Sequence, residues 1–327
     1  MSKRVYVTRE IPQAALQRLG EAGIAYEVYE KDEVIPRDVL LEKVKGVDGV
    51  LCILTDAIDA DVFEQADQAK IFANYAVGYN NIDVEEATKR GIAITNTPGV
   101  LTDATADCAW TLIFSAARRV VESDHYLRQG RFEGWGPLLL LGQDVTDRTL
   151  GLVGLGRIGK AVAERAAAFR MKIRYYDIQR DTAFEEGYPY ACTFGSLEEV
   201  LQQSDIVSVH VPLTPETRHL IGEAQLKQMQ KHAVLVNTAR GPIVDEAALV
   251  KALQEGWIWA AGLDVYEEEP KVHPELVKLP NTVLLPHLGS ATKQTRTQMG
   301  MIAVENLIAF FNGQRPPNLV NEAVWKG

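Results

Sequence analysis

The 327-residue sequence predicts an α/β protein built from two doubly wound parallel-sheet domains. Three observations carry that expectation. Short β-branched runs alternate with helical patterns almost from the first residue. A glycine-rich turn joins an apolar run to an alanine-rich one. A second alternating series begins near residue 100. Strands that alternate with helices form parallel sheets covered on both faces.

In the first series, RVYVT, YEVY, VLCIL, IFANYA and IAITNT read as strands. Between them PQAALQRLGEAG, PRDVLLEKVKG, ADVFEQA and DVEEATKRG have helical spacing, several with glycine where a helix stops. From Thr102 to about Gln129 the pattern predicts one long helical stretch, followed by the glycine- and aromatic-rich loop GRFEGWGPLLLLG. The second series runs through TLGLVG, KIRYYD, DIVSVHVP, AVLVNTA, WAAGLDVY and TVLLPH, and KQTRTQMGMIAVENLIAFFNG reads as a final helix.

With 46% hydrophobic residues the chain can fill two domain cores of ordinary size. Its 34 Lys and Arg against 44 Asp and Glu leave a net charge of −10, which argues against a nucleic-acid partner. An anionic substrate must then be met by a specific cation, because the overall field repels it. Cys52, Cys108 and Cys192 are odd in number and widely spaced, which speaks for a reducing cytoplasm and against disulfides or a structural metal site. MSKRVYVTRE reads as a charged strand start rather than a signal sequence, and the longest aliphatic run, LLLL, is too short to span a bilayer. A soluble, cytoplasmic protein with no membrane partner is expected.

The most informative local motif is TLGLVGLGRIGKAVAERAAAF. Gly154-Leu155-Gly156-Arg157-Ile158-Gly159 follows a strand pattern and opens a helix pattern, the context that a dinucleotide-binding turn requires. Gly154 permits the tight turn, Gly156 lets backbone N–H groups approach a pyrophosphate at the positive helix end, and Gly159 lets helix and strand pack closely. Asp177 closes the next strand 18 residues after Gly159 and suits the ribose hydroxyls of the adenosine half. A 2′-phosphate there would meet like charge. At 4 Å the repulsion is about 1 kcal/mol in water and about 4 kcal/mol at an effective dielectric of 20, so NAD is favoured over NADP by roughly ten- to a thousandfold. Arg180 nearby is a cation that can blunt this preference.

In open α/β sheets ligands sit outside the carboxyl ends of the strands. VNTARGPIVDE puts Arg240 just past one strand, GLDVYEEEP puts Asp264 within another with Glu269 in the loop beyond, and VLLPHLGS puts His287 at a third. A histidine in such a place is either a packed residue or a proton donor. Its companions favour chemistry. A guanidinium can bind and polarise an α-keto acid, an imidazolium can protonate the alkoxide formed as hydride arrives, and a carboxylate beside the ring favours its charged form and fixes its tautomer.

These stretches, with VGYNNID, ITNTPGVLTDATAD, GLVGLGRIGKAVA and VPLTPETRHLI, occur in an order that resembles the D-isomer-specific 2-hydroxyacid dehydrogenase family over nearly the whole chain. The resemblance implies that Arg240, Glu269 and His287 are its catalytic trio. It implies a Rossmann coenzyme domain, residues 101–288, inserted into a flavodoxin-like substrate domain made of residues 1–100 and a C-terminal helix and tail, 289–327. It also implies a homodimer built largely on the coenzyme domain, and no metal. Beyond the glycine turn and Asp177, it extends the cofactor contacts to Thr105, His210, Val211, Pro212, Thr217, Thr238, Ala239, Asp264 and Gly289.

RFEGWGPLLLLGQD is most similar to the glyoxylate and hydroxypyruvate reductase branch, where the tryptophan at the place of Trp135 reaches toward the neighbouring subunit's pocket. Val77 and Gly78 would hold the substrate carboxylate through their N–H groups, and Leu54 would line the pocket. Several NADPH-using members of that branch carry a neutral or basic residue where this chain has Asp177. The expected function is therefore reduction of glyoxylate or hydroxypyruvate with NADH, with His287 as proton donor and NADP(H) the less favoured cofactor. The alternatives are another dehydrogenase of D-lactate or phosphoglycerate, a phosphite dehydrogenase, or, in a different class, a dinucleotide-sensing scaffold of corepressor type.

Overall fold

The computed structural model describes residues 2–325, which divide into two compact units. One combines the residues up to Leu101 with those from Ala291 onward, and the other spans Thr102–Ser290. These divisions fall one residue after position 100 and two after position 288. The second offset has a local reason: the Asp264 carboxylate accepts the N–H groups of Leu288 and Gly289, tying that turn to the strand edge of the inner unit.

The first unit contains β1 (Arg4–Val7), α1 (Gln13–Glu21), β2 (Ala25–Val28), α2 (Arg37–Lys43), β3 (Gly49–Ile53), α3 (Ala60–Gln65), β4 (Ile71–Tyr75), α4 (Val84–Lys89) and β5 (Ala93–Thr95). Its all-parallel sheet runs β2-β1-β3-β4-β5, the flavodoxin-like order. Leu40, Val44, Val62, Phe63 and Ala87 from α2, α3, α4 and their ends fill one face with Phe72, Val50 and Ile94. On the chain's return, α12 (Lys293–Phe311) packs beside α1 and β4. Gly300 makes that approach possible, because a Cβ there would lie 2.8 Å from the Cβ of Ala15.

The second unit begins with α5 (Thr102–Ala117) and α6 (Val120–Arg128). The long helix expected over 102–129 is thus broken, with Arg119 in the left-handed region at φ 53°. Its guanidinium pairs with Glu122 and caps the Leu141 carbonyl, which accounts for the turn. Then follow β6 (Thr149–Val153), α7 (Arg157–Ala166), β7 (Lys172–Tyr176), α8 (Thr182–Gly187), β8 (Cys192–Phe194), α9 (Leu197–Gln203), β9 (Ile206–Val209), α10 (Glu223–Gln228), β10 (Val234–Asn237), α11 (Glu246–Gln254), β11 (Ala260–Leu263) and β12 (Thr282–Leu284). The short edge strand β8 was not expected.

The sheet order is β12-β11-β10-β9-β6-β7-β8, all parallel, with the order reversing between β6 and β9. This is the Rossmann arrangement with one further strand. Helices α5 and α7 cover one face around Trp110, Leu112, Val162 and Ile173, and α9, α10 and α11 cover the other around Leu201, Leu226 and Leu249. Register then matters for chemistry. Val153 pairs with Tyr176 and Val209, Asn237 with Val209 and Leu263, and Leu263 with Leu284. The residues that follow, Gly154, Asp177, His210, Thr238 and Asp264, therefore stand in a row along the carboxyl edge.

Candidate active site

The glycine turn has the shape its sequence requires. Gly154 has φ 101°, and a Cβ on it would lie 2.8 to 2.9 Å from backbone atoms of His210 and Val211. A Cβ on Gly159 would lie 2.3 Å from the Gly154 carbonyl oxygen, so the first turn of α7 closes on the strand end only without a side chain. Nothing lies within 4 Å of a Cβ built on Gly156, whose face is an open cradle at the helix N-terminus. Arg157 and Ile158 form the first turn of α7, and Leu155 is buried.

Asp177 accepts the Leu155 N–H and the Ile178 N–H, each at 2.7 Å, which orients its carboxylate beside the turn. Each oxygen keeps a further lone pair for a ribose hydroxyl. Thr238 carries a buried hydroxyl that has no hydrogen-bond partner. An open cradle, an oriented carboxylate and an orphaned hydroxyl along one strand edge fit a nicotinamide dinucleotide.

Other expected contacts are placed as follows. His210 is half-buried, its Nε2 is 2.8 Å from the Ser208 hydroxyl, and burial pulls its pKa down to about 4. Val211 and Pro212 follow β9, and the Thr217 hydroxyl donates to the Pro212 carbonyl, so its present use is to shape that turn. Ala239 N–H donates to Asn237 Oδ1. Thr105, on α5, lies against Gly289, whose Cβ would come within 3.4 Å of it. Asp264 stands just past β11 rather than within it, buried, with both oxygens engaged by Leu288 and Gly289.

That engagement bears on His287, which adopts φ 58°. A side chain in the left-handed region costs roughly 1–2 kcal/mol, and the two N–H bonds to Asp264 just beyond the ring hold the turn in place. His287 Nδ1 is 2.8 Å from Glu269 Oε2. Glu269 Oε1 accepts the Tyr266 N–H at 3.0 Å. Burial raises the Glu269 pKa, but the hydrogen bonds and charges of His287, Tyr266 N–H and Arg240 outweigh it and keep the carboxyl below its ordinary value. A carboxylate only accepts, so Nδ1 is the donor and Nε2 is the nitrogen left for proton exchange.

Arg240 is held by a bond from its Nη1 to the Ala239 carbonyl. Burial lowers its pKa, opposed only in part by the Glu269 charge, and a guanidinium so placed still keeps its charge. Three strand ends, of β10, β11 and β12, thus carry a cation, a carboxylate and an imidazole in electrostatic contact.

The sequence reading overlooked the residues that hold this group. Asn237 donates to the Arg240 carbonyl while accepting from Ala239, fixing the turn that carries the arginine. Glu246, buried at the start of α11, accepts the Glu267 N–H at 2.5 Å, and Glu267 accepts the Glu246 N–H in return. Gly241 presses on Tyr266 so closely that a Cβ would lie 1.8 Å from its carbonyl carbon.

In the first unit, Leu54 is half-buried in the turn after β3, and Val77 and Gly78 are half-buried in the turn after β4. Asn96 donates to the Val77 carbonyl at 2.8 Å and Asn74 to the Gly78 carbonyl at 2.9 Å. Because the peptide is planar and trans, fixing the Val77 carbonyl also fixes the direction of the Gly78 N–H. Trp135 is 85% exposed within the second unit.

Residues 110–289 match the D-isomer specific 2-hydroxyacid dehydrogenase, NAD binding domain family. The chain is 54% identical to a glyoxylate reductase of Korarchaeum cryptofilum, an alignment covering 100% of this chain and 98% of the relative. Among solved structures it is similar to the TT0316 protein of Thermus thermophilus, with a TM-score of 0.91 and 47% identity over 97% of this chain and 99% of that one. It is also similar to an NADPH-dependent glyoxylate/hydroxypyruvate reductase of Sinorhizobium meliloti in complex with NADP and malonate. There the TM-score is 0.86, with 35% identity over 100% and 99% of the two chains. No helix among the described residues is long and apolar enough to cross a membrane. The protein is an oxidoreductase that belongs to the D-isomer-specific 2-hydroxyacid dehydrogenase family.

Proposed function

We propose that the protein reduces glyoxylate and hydroxypyruvate with NADH, giving glycolate and D-glycerate. The observation that carries this reading is the His287–Glu269 pair beside Arg240, on the strand edge that also bears the glycine turn and Asp177. A bound nicotinamide supplies the hydride. The chain's own part is to bind an anion and to deliver a proton.

Arg240 is the cation that holds the keto acid and draws electron density toward its carbonyl oxygen. His287 gives a proton from Nε2 to that oxygen as it becomes an alcohol, while Glu269 holds the other nitrogen and supports the charged ring. Val77 and Gly78 N–H groups donate to the substrate carboxylate, and Leu54 lines its apolar side. Asp177 favours NADH by offering acceptors to the ribose hydroxyls and repelling a 2′-phosphate.

Phe132, Trp135, Leu138 and Leu141 leave an apolar surface between α6 and β6, which supports a homodimer with Trp135 serving the partner's pocket. The test is NADH consumption with a panel of keto acids, including glyoxylate, hydroxypyruvate, pyruvate and phosphohydroxypyruvate. Preference for the first two supports the reading. Preference for another acid reassigns the substrate, and feeble turnover with all of them favours a dinucleotide-sensing scaffold.

A further inference from the structure

The turn after β7, Asp177-Ile-Gln-Arg180-Asp181, places a guanidinium three residues beyond the carboxylate assigned to the ribose. An arginine there is the natural partner of a 2′-phosphate, because its planar fork gives two parallel charge-assisted bonds. In this structure the fork is already used. Arg180 Nε lies 3.0 and 3.2 Å from the two oxygens of Glu185, and Nη2 lies 2.7 Å from Oε2.

This ion pair is not an ordinary mobile surface contact. Glu185 leaves only 10% of its side chain exposed, whereas Arg180 leaves 59%. Tyr175, fully buried on β7, donates its hydroxyl to Glu185 Oε1 at 2.7 Å and accepts the Asp181 N–H at 2.8 Å. The carboxylate is therefore anchored to the sheet, and the guanidinium is drawn onto it. A second cation is treated alike: Lys160, on α7, pairs with Asp181, whose other oxygen caps α8. Arg180 and Lys160 are thus each matched by a carboxylate of the 180–185 segment.

We propose that Glu185 is a cofactor-specificity residue, which withholds Arg180 from the ribose 2′ position and so reinforces the discrimination begun by Asp177. This rests on the assignment of Asp177 to the adenosine ribose. Its consequence is that removing the Asp177 charge alone leaves NADPH without a cation to receive its extra phosphate.

The proposal is tested by equilibrium titration of 5′-ADP and adenosine 2′,5′-bisphosphate, with kcat/KM for NADH and NADPH measured beside it. Asp177→Ala should gain affinity for the 2′-phosphate ligand only through the repulsion it removes, with no cation freed to receive the phosphate. Asp177→Ala with Glu185→Gln should bind it roughly tenfold tighter than Asp177→Ala alone, the worth of one freed charge-assisted contact. Adding Arg180→Ala should erase that gain. Equal affinities in the single and double variants, both folded by thermal melting, would overturn the role of Glu185. Should Glu185→Gln fail to fold, Arg180→Ala in the Asp177→Ala background asks the same question. No change is expected there, and a several-fold loss of 2′-phosphate binding would show that Arg180 was never withheld. Wild-type protein that prefers the 2′-phosphate ligand would overturn the NAD assignment itself, a result distinct from either failure of Glu185.

Discussion

Glu269 holds His287 with one oxygen and the backbone of Tyr266 with the other, so the carboxylate that supports the imidazole is itself fixed to the end of its own strand. Such a bridge gives the ring one orientation and one tautomer before any substrate arrives. It also makes the pair's behaviour with pH a direct reading of the proposed mechanism.

In the proposed mechanism keto-acid reduction needs a proton on His287 and should fall as pH rises. The depressed pKa of Glu269 keeps it charged through the neutral range, and its support is lost only as pH falls below the ordinary carboxylate range. Glu269→Gln should therefore cost part of the maximal rate, because the ring loses the carboxylate that holds its orientation and tautomer. His287→Asn should remove the limb and slow kcat by roughly 10²- to 10⁴-fold, with NADH still bound. A pH–rate profile of the three proteins checks this. A limb that stays in place in His287→Asn would assign the proton to another group.

Arg240→Lys keeps a positive charge but not the planar fork. Both kcat and the KM for glyoxylate should worsen, while NADH affinity by fluorescence titration stays within about twofold. If NADH binding is lost and the keto-acid KM is unchanged, Arg240 serves the cofactor instead.

Glu246 should act as a positioning residue. Glu246→Ala leaves the Glu267 N–H without its acceptor and should cost about 1–3 kcal/mol of stability. We expect kcat for glyoxylate to fall about tenfold, with NADH affinity retained and Glu246→Gln, which still accepts that N–H, restoring most of the rate. A stability loss with no change in kcat would leave Glu246 a purely structural group.

His210 supplies a test of acid stability. Its folded pKa, about 4, lies below the ordinary 6.5, so between those values the unfolded chain holds a proton that the folded one does not. Stability should be complete above pH 6.5 and decline as pH falls toward 4, by on the order of 2–3 kcal/mol. His210→Asn should flatten thermal melting temperatures over that window. An unchanged slope would place the acid sensitivity elsewhere.

Much of this arrangement was legible in the chain itself, for identifiable reasons. The glycine turn, Asp177, Arg240, Glu269 and His287 all lie at strand ends, and strand ends follow from local β-branched runs and the turn residues that stop them. What escaped the reading is what depends on distant pairing. Glu246 and Glu267 are 21 residues apart and exchange bonds with each other's backbone, which no local period records. Glu185 escaped because its effect runs through Tyr175 and Arg180 rather than through a motif. The break at Arg119 lay inside an unbroken helical pattern, and β8 is a three-residue edge strand with little apolar signal.

The close approach of Gly241 to Tyr266 has a consequence for how such a site can change. The peptide beside Arg240 and the loop leading to Glu269 meet main chain against main chain, so the spacing between the turn that carries the guanidinium and the loop that carries the carboxylate is inherited from the backbone. Residues around the pocket can then be exchanged to suit a longer or bulkier acid without retuning the reacting groups. Selectivity is free to drift while the proton and the anion stay in register.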